Sequence, residues 1–242
     1  MNEKHYLNNT LGVVLRLKKQ LNLFLILLVT SVVYFPSFFF KFTYFDDHVL
    51  VLENQDFLPH WSNVLAAFKT EVFHVFGGGA GYYRPLLTLS FIWDAHWSKA
   101  APFSYHLTNV ILHIGVSFLI YLILKQISNN GRLNLTLTLI FAVHPVCAQA
   151  VAWIPGRNDS LLALFILLSF YFFLGRGRHF FLHQYFFLCA LFTKETALVF
   201  PLVLGCYYFL CKGKLRQGRE FTAAKYFSGW AVCMAVFLMA KH

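Results

Sequence analysis

Long stretches without charge alternate with short charged gaps along this chain, and the lengths of the stretches predict its elements. A helix needs about 20 apolar residues to cross a hydrocarbon layer about 30 Å thick. Runs of that kind predict spans over about 21–40, 104–124, 133–154 and 160–175. The next run, 179–211, is broken only by Lys194 and Glu195. As one helix it would be about 50 Å long at 1.5 Å per residue, so it divides into two short spans, 179–193 and 196–211. A last span over 226–240 gives seven crossings. The first run is longer than the apolar core of a signal peptide and reads as an uncleaved span, preceded by a basic N-terminus, 1–20. Between the first two spans lies an outer loop, 41–103, containing an apolar stretch, 84–97, with Tyr82, Tyr83, Trp93 and Trp97 at its ends. Fourteen residues make a helix about 21 Å long, and aromatic ends suit an interfacial helix.

Composition agrees. Of 242 residues, 58% are hydrophobic and only 12% charged, where a soluble domain carries roughly 25% charged. The 29 Phe, 12 Tyr and 5 Trp exceed what a core of this size could bury, so many must face lipid or its interface. The expected fold is an all-α polytopic helical bundle. The net charge of +10 would suggest nucleic acid in a soluble protein. Here the basic residues fill the gaps between spans, so they orient the chain and imply no nucleic-acid partner. With 84–97 not crossing, Lys4, Arg16, Lys18, Lys19, Lys125, Arg132, Arg176, Arg178 and the 212–225 cluster share the cytosolic side. Eight of the acids then lie on the outer side. The five cysteines form no CxxC pair and suggest neither a disulfide framework nor a zinc site.

The outer face therefore holds the candidate chemistry. Asp46 and Asp47 follow the first span directly, where a low-dielectric boundary can raise a carboxyl pKa and make it a base; a solvated pair of loop acids is the alternative. Arg157 and Asp159 stand at one outer turn, Lys194 and Glu195 at another, and Arg84 begins the interfacial stretch. Their pairing, Arg157 with Asp159, Lys194 with Glu195 and Arg84 with the aspartates, would outline a polar cleft under the long loop. His106, Asn109 and His113 recur at i, i+3 and i+7 on one helix stripe, and His144 precedes Pro145 on the next span. Hydrogen bonds between helices explain such residues more often than a metal does. The glycine run at 77–81 lacks a following GK[ST] and is no P-loop.

Five segments, YFDDHVLVLEN, YYRPLLTLSF, HLTNVILH, LIFAVHPVCAQAVAWIPGRNDSLLALF and LFTKETALVFP, resemble in order and spacing the transmembrane and tetratricopeptide-repeat O-mannosyltransferase-like family, of the GT-C glycosyltransferases. The resemblance covers about residues 20–211. It implies a GT-C fold, catalytic Asp46 and Asp47, and Arg84, Arg157 and Lys194 for a donor phosphate. Asp159, Glu195, His106, Asn109, His113 and His144 would be supporting residues. It also implies inverting transfer of a sugar, mannose by family pattern, from a polyprenyl-phosphate donor to protein Ser or Thr hydroxyls. No cofactor or metal is required by that scheme, although a carboxylate pair could hold a divalent ion. The implied location is the bacterial inner membrane or the endoplasmic reticulum membrane, with the site on the non-cytosolic face. Two departures stand out: Gln149 replaces an acid common in that block, and no tetratricopeptide repeat occurs among the 242 residues. A second chain supplying further helices and repeats is thus an expected partner. The alternative is a catalytically silent subunit or truncated product that only binds the lipid donor.

Overall fold

The computed structural model describes residues 3–74, 81–175, 179–215 and 223–241. The run from Gly77 to Ala80, Arg176, Arg178, Arg216 and Arg219 lie outside the described residues. Among those described there are helices and turns and no strand. The α-helices are α1 (Glu3–Tyr34), α2 (Pro85–Ser98), α3 (Pro102–Ile127), α4 (Gly131–Ala142), α5 (Ala148–Ala152), α6 (Arg157–Leu174), α7 (Phe180–Leu191), α8 (Phe200–Leu215) and α9 (Ala223–Lys241).

By length and composition three segments qualify as membrane spans: Gln20–Phe39, Pro102–Ile127 and Arg157–Leu174. Only 22%, 39% and 28% of their most apolar windows are buried inside the protein. The rest is half-buried or exposed, with Phe24, Leu28, Val32 and Ile111 among the exposed side chains, and such surface needs lipid around it. The chain is a membrane protein. The span predicted over 133–154 is broken: α4 and the segment Pro145–Ala152 meet at 48° and would count as a fourth span only together. Pro145 is the cause, because its ring disfavours helical geometry at the preceding residue, and His144 is extended, at φ −66° and ψ 130°. The segments α7 and α8 are apolar but only 12 and 16 residues long.

Helix α6 is central, packing on α3 and α7; α3 also packs on α1 and α4, and α7 on α9. The outer loop is not structureless. It forms single turns at His48–Leu52, Trp61–Val64 and Ala66–Phe68, and its Leu50, Val51, Leu58 and Ala67 are buried in one cluster with Leu87, Phe91, Ile92 and Ala95 of α2 and with Tyr105 and Ile154. Trp93 and Trp97 of α2 point away from that core, 54% and 72% exposed.

Candidate functional site

The strongest polar feature lies beneath the outer loop, and the sequence reading paired it wrongly. Arg157, the first residue of α6, is fully buried and forms its ion pair with Asp94 of α2, at 2.5 Å, not with Asp159. Its Nε donates to Asn109 Oδ1 (2.7 Å), Nη1 to the Ser90 carbonyl (3.0 Å) and Nη2 to the Tyr105 carbonyl (2.8 Å). The guanidinium also lies 4.8 Å from the Phe91 ring centre and 5.7 Å from that of Tyr105. Thr108 donates to the other Asp94 oxygen (2.6 Å). Burial pushes the Asp94 carboxyl up, and the charge of Arg157 opposes this. A guanidinium with every nitrogen spent on protein acceptors cannot at the same time hold a phosphate, so Arg157 is the joint that locks α2 to α3 and α6. Asp94 was missed from sequence; the signal for it was a lone acid inside an otherwise apolar helix, which needs a partner.

Two further ion pairs cross between elements. Arg84, just before α2, makes a bidentate contact to Glu195, with Nε to Oε2 at 3.1 Å and Nη2 to Oε1 at 2.6 Å. Lys194 pairs with Asp159. The expected pairings, Lys194 with Glu195 and Arg84 with the aspartates, are therefore replaced. Burial alone would raise the Glu195 carboxyl, but the Arg84 hydrogen bonds, a backbone hydrogen bond and the charges of Arg84 and Lys194 together outweigh it and hold it below the usual range. This pair stabilises the fold at neutral pH, and its contribution fades as acid protonates the carboxylate. Both pairs gather the outer ends of α2, α6 and the turn before α8.

Asp46 is half-buried, whereas Asp47 is only 1% exposed. The Thr43 amide donates to Asp47 Oδ2 at 2.7 Å, and Oδ1 has no well-formed hydrogen bond. The Trp153 side chain adds a weaker polar contact. Burial raises the Asp47 carboxyl, Thr43 lowers it and the neighbouring Asp46 charge raises it again, with a net upward shift. A buried acceptor without a full partner is costly. Because the native carboxyl holds its proton more tightly than the unfolded one, stability falls as pH rises from the unfolded pKa through the native one. Asp47→Asn is accordingly expected to melt no lower than the wild type at pH 7 and by preference higher. The gap should close near pH 4, as read by thermal melts of the detergent-purified chain; a lower melting point for the variant at pH 7 would show that the charge is well satisfied.

Trp153 belongs to the WIPGR turn that ends at Arg157, so the Asp47 contact and the buried ion pair share one support. Asn109 fastens this turn, its amide reaching the Val151, Trp153 and Ile154 carbonyls at 3.2, 3.0 and 3.4 Å. Gly156 lets it close: a Cβ there would collide with the Gln149 carbonyl and stand 3.0 Å from the Ala150 Cα and the Trp153 carbonyl. All three are backbone atoms with little freedom to yield. Gly156→Ala is expected to reduce the yield of folded protein, measured by size-exclusion chromatography; an unchanged profile and melting point would mean that the turn is plastic.

The remaining candidates contact neighbouring helices and turns. His113 Nε2 bonds the Ala142 carbonyl at 2.9 Å and joins α3 to α4, while His106 is buried with its ring edge-on to Phe40. His144 is exposed, and its Nδ1 caps the Pro145 turn by accepting from the Val146 amide. Among the described residues no group of three or more His, Cys, Asp or Glu side chains is placed to hold a metal ion.

Part of this chain is similar to known proteins. The chain is 37% identical over 127 residues to mouse protein O-mannosyl-transferase TMTC2, covering 52% of this chain and 15% of that protein. It is 34% identical over 153 residues to human protein O-mannosyl-transferase TMTC3, covering 60% and 16%. With mouse protein O-mannosyl-transferase TMTC1 the identity is 45% over 89 residues, covering 36% and 9%. Over about half of its length the chain is thus similar to TMTC protein O-mannosyl-transferases. The matched part spans about a sixth or less of each TMTC protein's length. No family model matches the chain, and no solved structure matches it.

Proposed function

We propose that this TMTC-like chain is the donor-handling membrane module of a GT-C protein O-mannosyltransferase. In this reading it takes mannose from a polyprenyl phosphate and passes it to a Ser or Thr hydroxyl on the non-cytosolic face. The observation that carries the reading is Asp47: a desolvated carboxylate with one oxygen fixed by Thr43 and the other left over, in a chain similar to TMTC1, TMTC2 and TMTC3, which are named protein O-mannosyl-transferases. A hydroxyl is a weak nucleophile, and a carboxylate of raised pKa suits removal of its proton. The acceptor oxygen then bonds to the sugar's C1 as the C1–O bond to the lipid phosphate breaks, with inversion. Asp46, the more open of the two, stands beside the base.

Lys194 and Arg84 are the cations assigned to the departing phosphate, which would compete with Asp159 and Glu195 for them. Arg157 is not among them, since its nitrogens are taken. Seven crossings, with α7 and α8 as short spans, belong to the same proposal; their lengths of 12 and 16 residues call for local thinning of the bilayer or a neighbouring module beside them.

The test uses vesicles containing the chain, a polyprenyl-phosphate mannose labelled in the sugar, and a Ser/Thr-rich acceptor protein. Label should appear in the acceptor and be released by alkaline β-elimination. Lys194→Ala and Arg84→Ala should weaken donor binding about tenfold to a hundredfold, the worth of a charge-assisted hydrogen bond. Donor affinity unchanged in both variants, or transfer that proceeds directly from a nucleotide sugar without the lipid, would overturn the donor assignment.

A further inference from the structure

At the end of the bundle away from the acidic loop, α1, α3 and the start of α4 enclose a cavity of about 620 Å³ lined by Lys18, Asn22, Tyr121, Lys125, Asn129, Asn130, Gly131, Arg132 and Leu135. Three of these nine residues are cations and none is an acid. Among the described residues no carboxylate pairs with Lys18, Lys125 or Arg132, although elsewhere in the structure Arg84, Arg157 and Lys194 all have acidic partners. The floor is ordered: Asn22 donates to the Tyr121 hydroxyl at 2.8 Å, and the Lys125 ammonium lies 5.7 Å from the centre of the Tyr121 ring. Lys18 stands two residues before the apolar segment Gln20–Phe39, and Lys125 two residues before the end of Pro102–Ile127, so the cavity opens where hydrocarbon gives way to water.

We propose that this cavity is a binding site for the phosphate headgroup of an anionic membrane lipid, distinct from the site around Asp47. Three unpaired cations repel one another and are relieved by a phosphate between them. The apolar rims of α1 and α3 flank the opening where acyl chains would lie, whereas a free inorganic phosphate would make no use of them. A phosphate here joins the start of the first span to the α3–α4 hairpin.

The experiment measures lipid retained by the purified full chain, by native mass spectrometry, after equilibration with phosphatidylglycerol, phosphatidylcholine or inorganic phosphate. The variant Lys18→Gln/Lys125→Gln/Arg132→Gln changes only exposed side chains, so it should fold. The control Lys41→Gln/Lys69→Gln removes two exposed cations at the opposite end. Phosphatidylglycerol retention should fall about tenfold or more in the triple variant, following the worth of each basic residue at an anionic surface, and stay near wild type in the control. Phosphatidylcholine retention should be low and equal in all three. Equal phosphatidylglycerol retention in wild type and triple variant, an equal loss in the control, or competition by millimolar inorganic phosphate as effective as the lipid would each overturn the proposal. None of these readouts depends on sugar transfer, so the result stands apart from the proposed activity.

Discussion

Arg157→Ala is expected to abolish recovery of folded protein from detergent-solubilised membranes. Removing the guanidinium strands the Asp94 carboxylate, which is 3% exposed, together with the Asn109 side-chain oxygen and the Ser90 and Tyr105 carbonyls. Breaking a buried ion pair from one side costs about 3–5 kcal/mol, a large part of a native stability of about 5–15 kcal/mol. Arg157→Lys should fare little better, because one ammonium cannot reach acceptors on α2 and α3 in the directions a planar fork does. The double variant Arg157→Met/Asp94→Leu should recover much of the loss, since replacing both partners by apolar groups removes the stranded charge. Thermal melts and size-exclusion profiles of the variants measure this. An Arg157→Ala chain that melts like the wild type but no longer binds a polyprenyl-phosphate donor would return Arg157 to the phosphate-binding role that its sequence position suggested.

The pattern of apolar runs made the helices legible, because burial in lipid depends on composition over some 20 residues and hardly on partners. The aspartates at 46 and 47 were legible for a similar reason: an acid next to a span stands out. Ion pairing was not legible, because it depends on helix phase. Arg157 and Asp159 are two residues apart, about 200° around a helix at 100° per residue, and so point to opposite sides: Arg157 inward to Asp94, Asp159 outward to Lys194. Lys194 and Glu195 likewise diverge. Lys194 is extended, at φ −158° and ψ 132°, and Glu195 opens the next turn, so the two side chains reach α6 and Arg84 respectively. Adjacency in the chain put these groups on one face but hid which partners they would find. The break at Pro145 was visible as a proline, yet the apolar composition on both sides made one continuous span look adequate. Asp94 was hidden among tryptophans that mark a membrane interface.

Asp47→Asn is expected to have the largest effect on chemistry. Asparagine keeps the volume and can still accept the Thr43 amide hydrogen bond, so the loop should stay in place; what is lost is the ability to take a proton. A positioned general base contributes about a hundredfold to ten-thousandfold in rate, and the variant should lose transfer by that factor with donor affinity little changed. Asp46→Asn should fall less steeply, since it alters the charge beside the base and leaves the base itself. The decisive measurement is the initial rate of labelled mannose transfer from polyprenyl-phosphate mannose to a Ser/Thr-rich acceptor, by vesicles holding equal amounts of folded wild-type and Asp47→Asn chain. The account predicts transfer by the wild type and a loss of about a hundredfold or more in the variant, at a melting temperature no lower than wild type. Equal rates for the two would contradict it, as would the absence of both transfer and donor binding in the wild type.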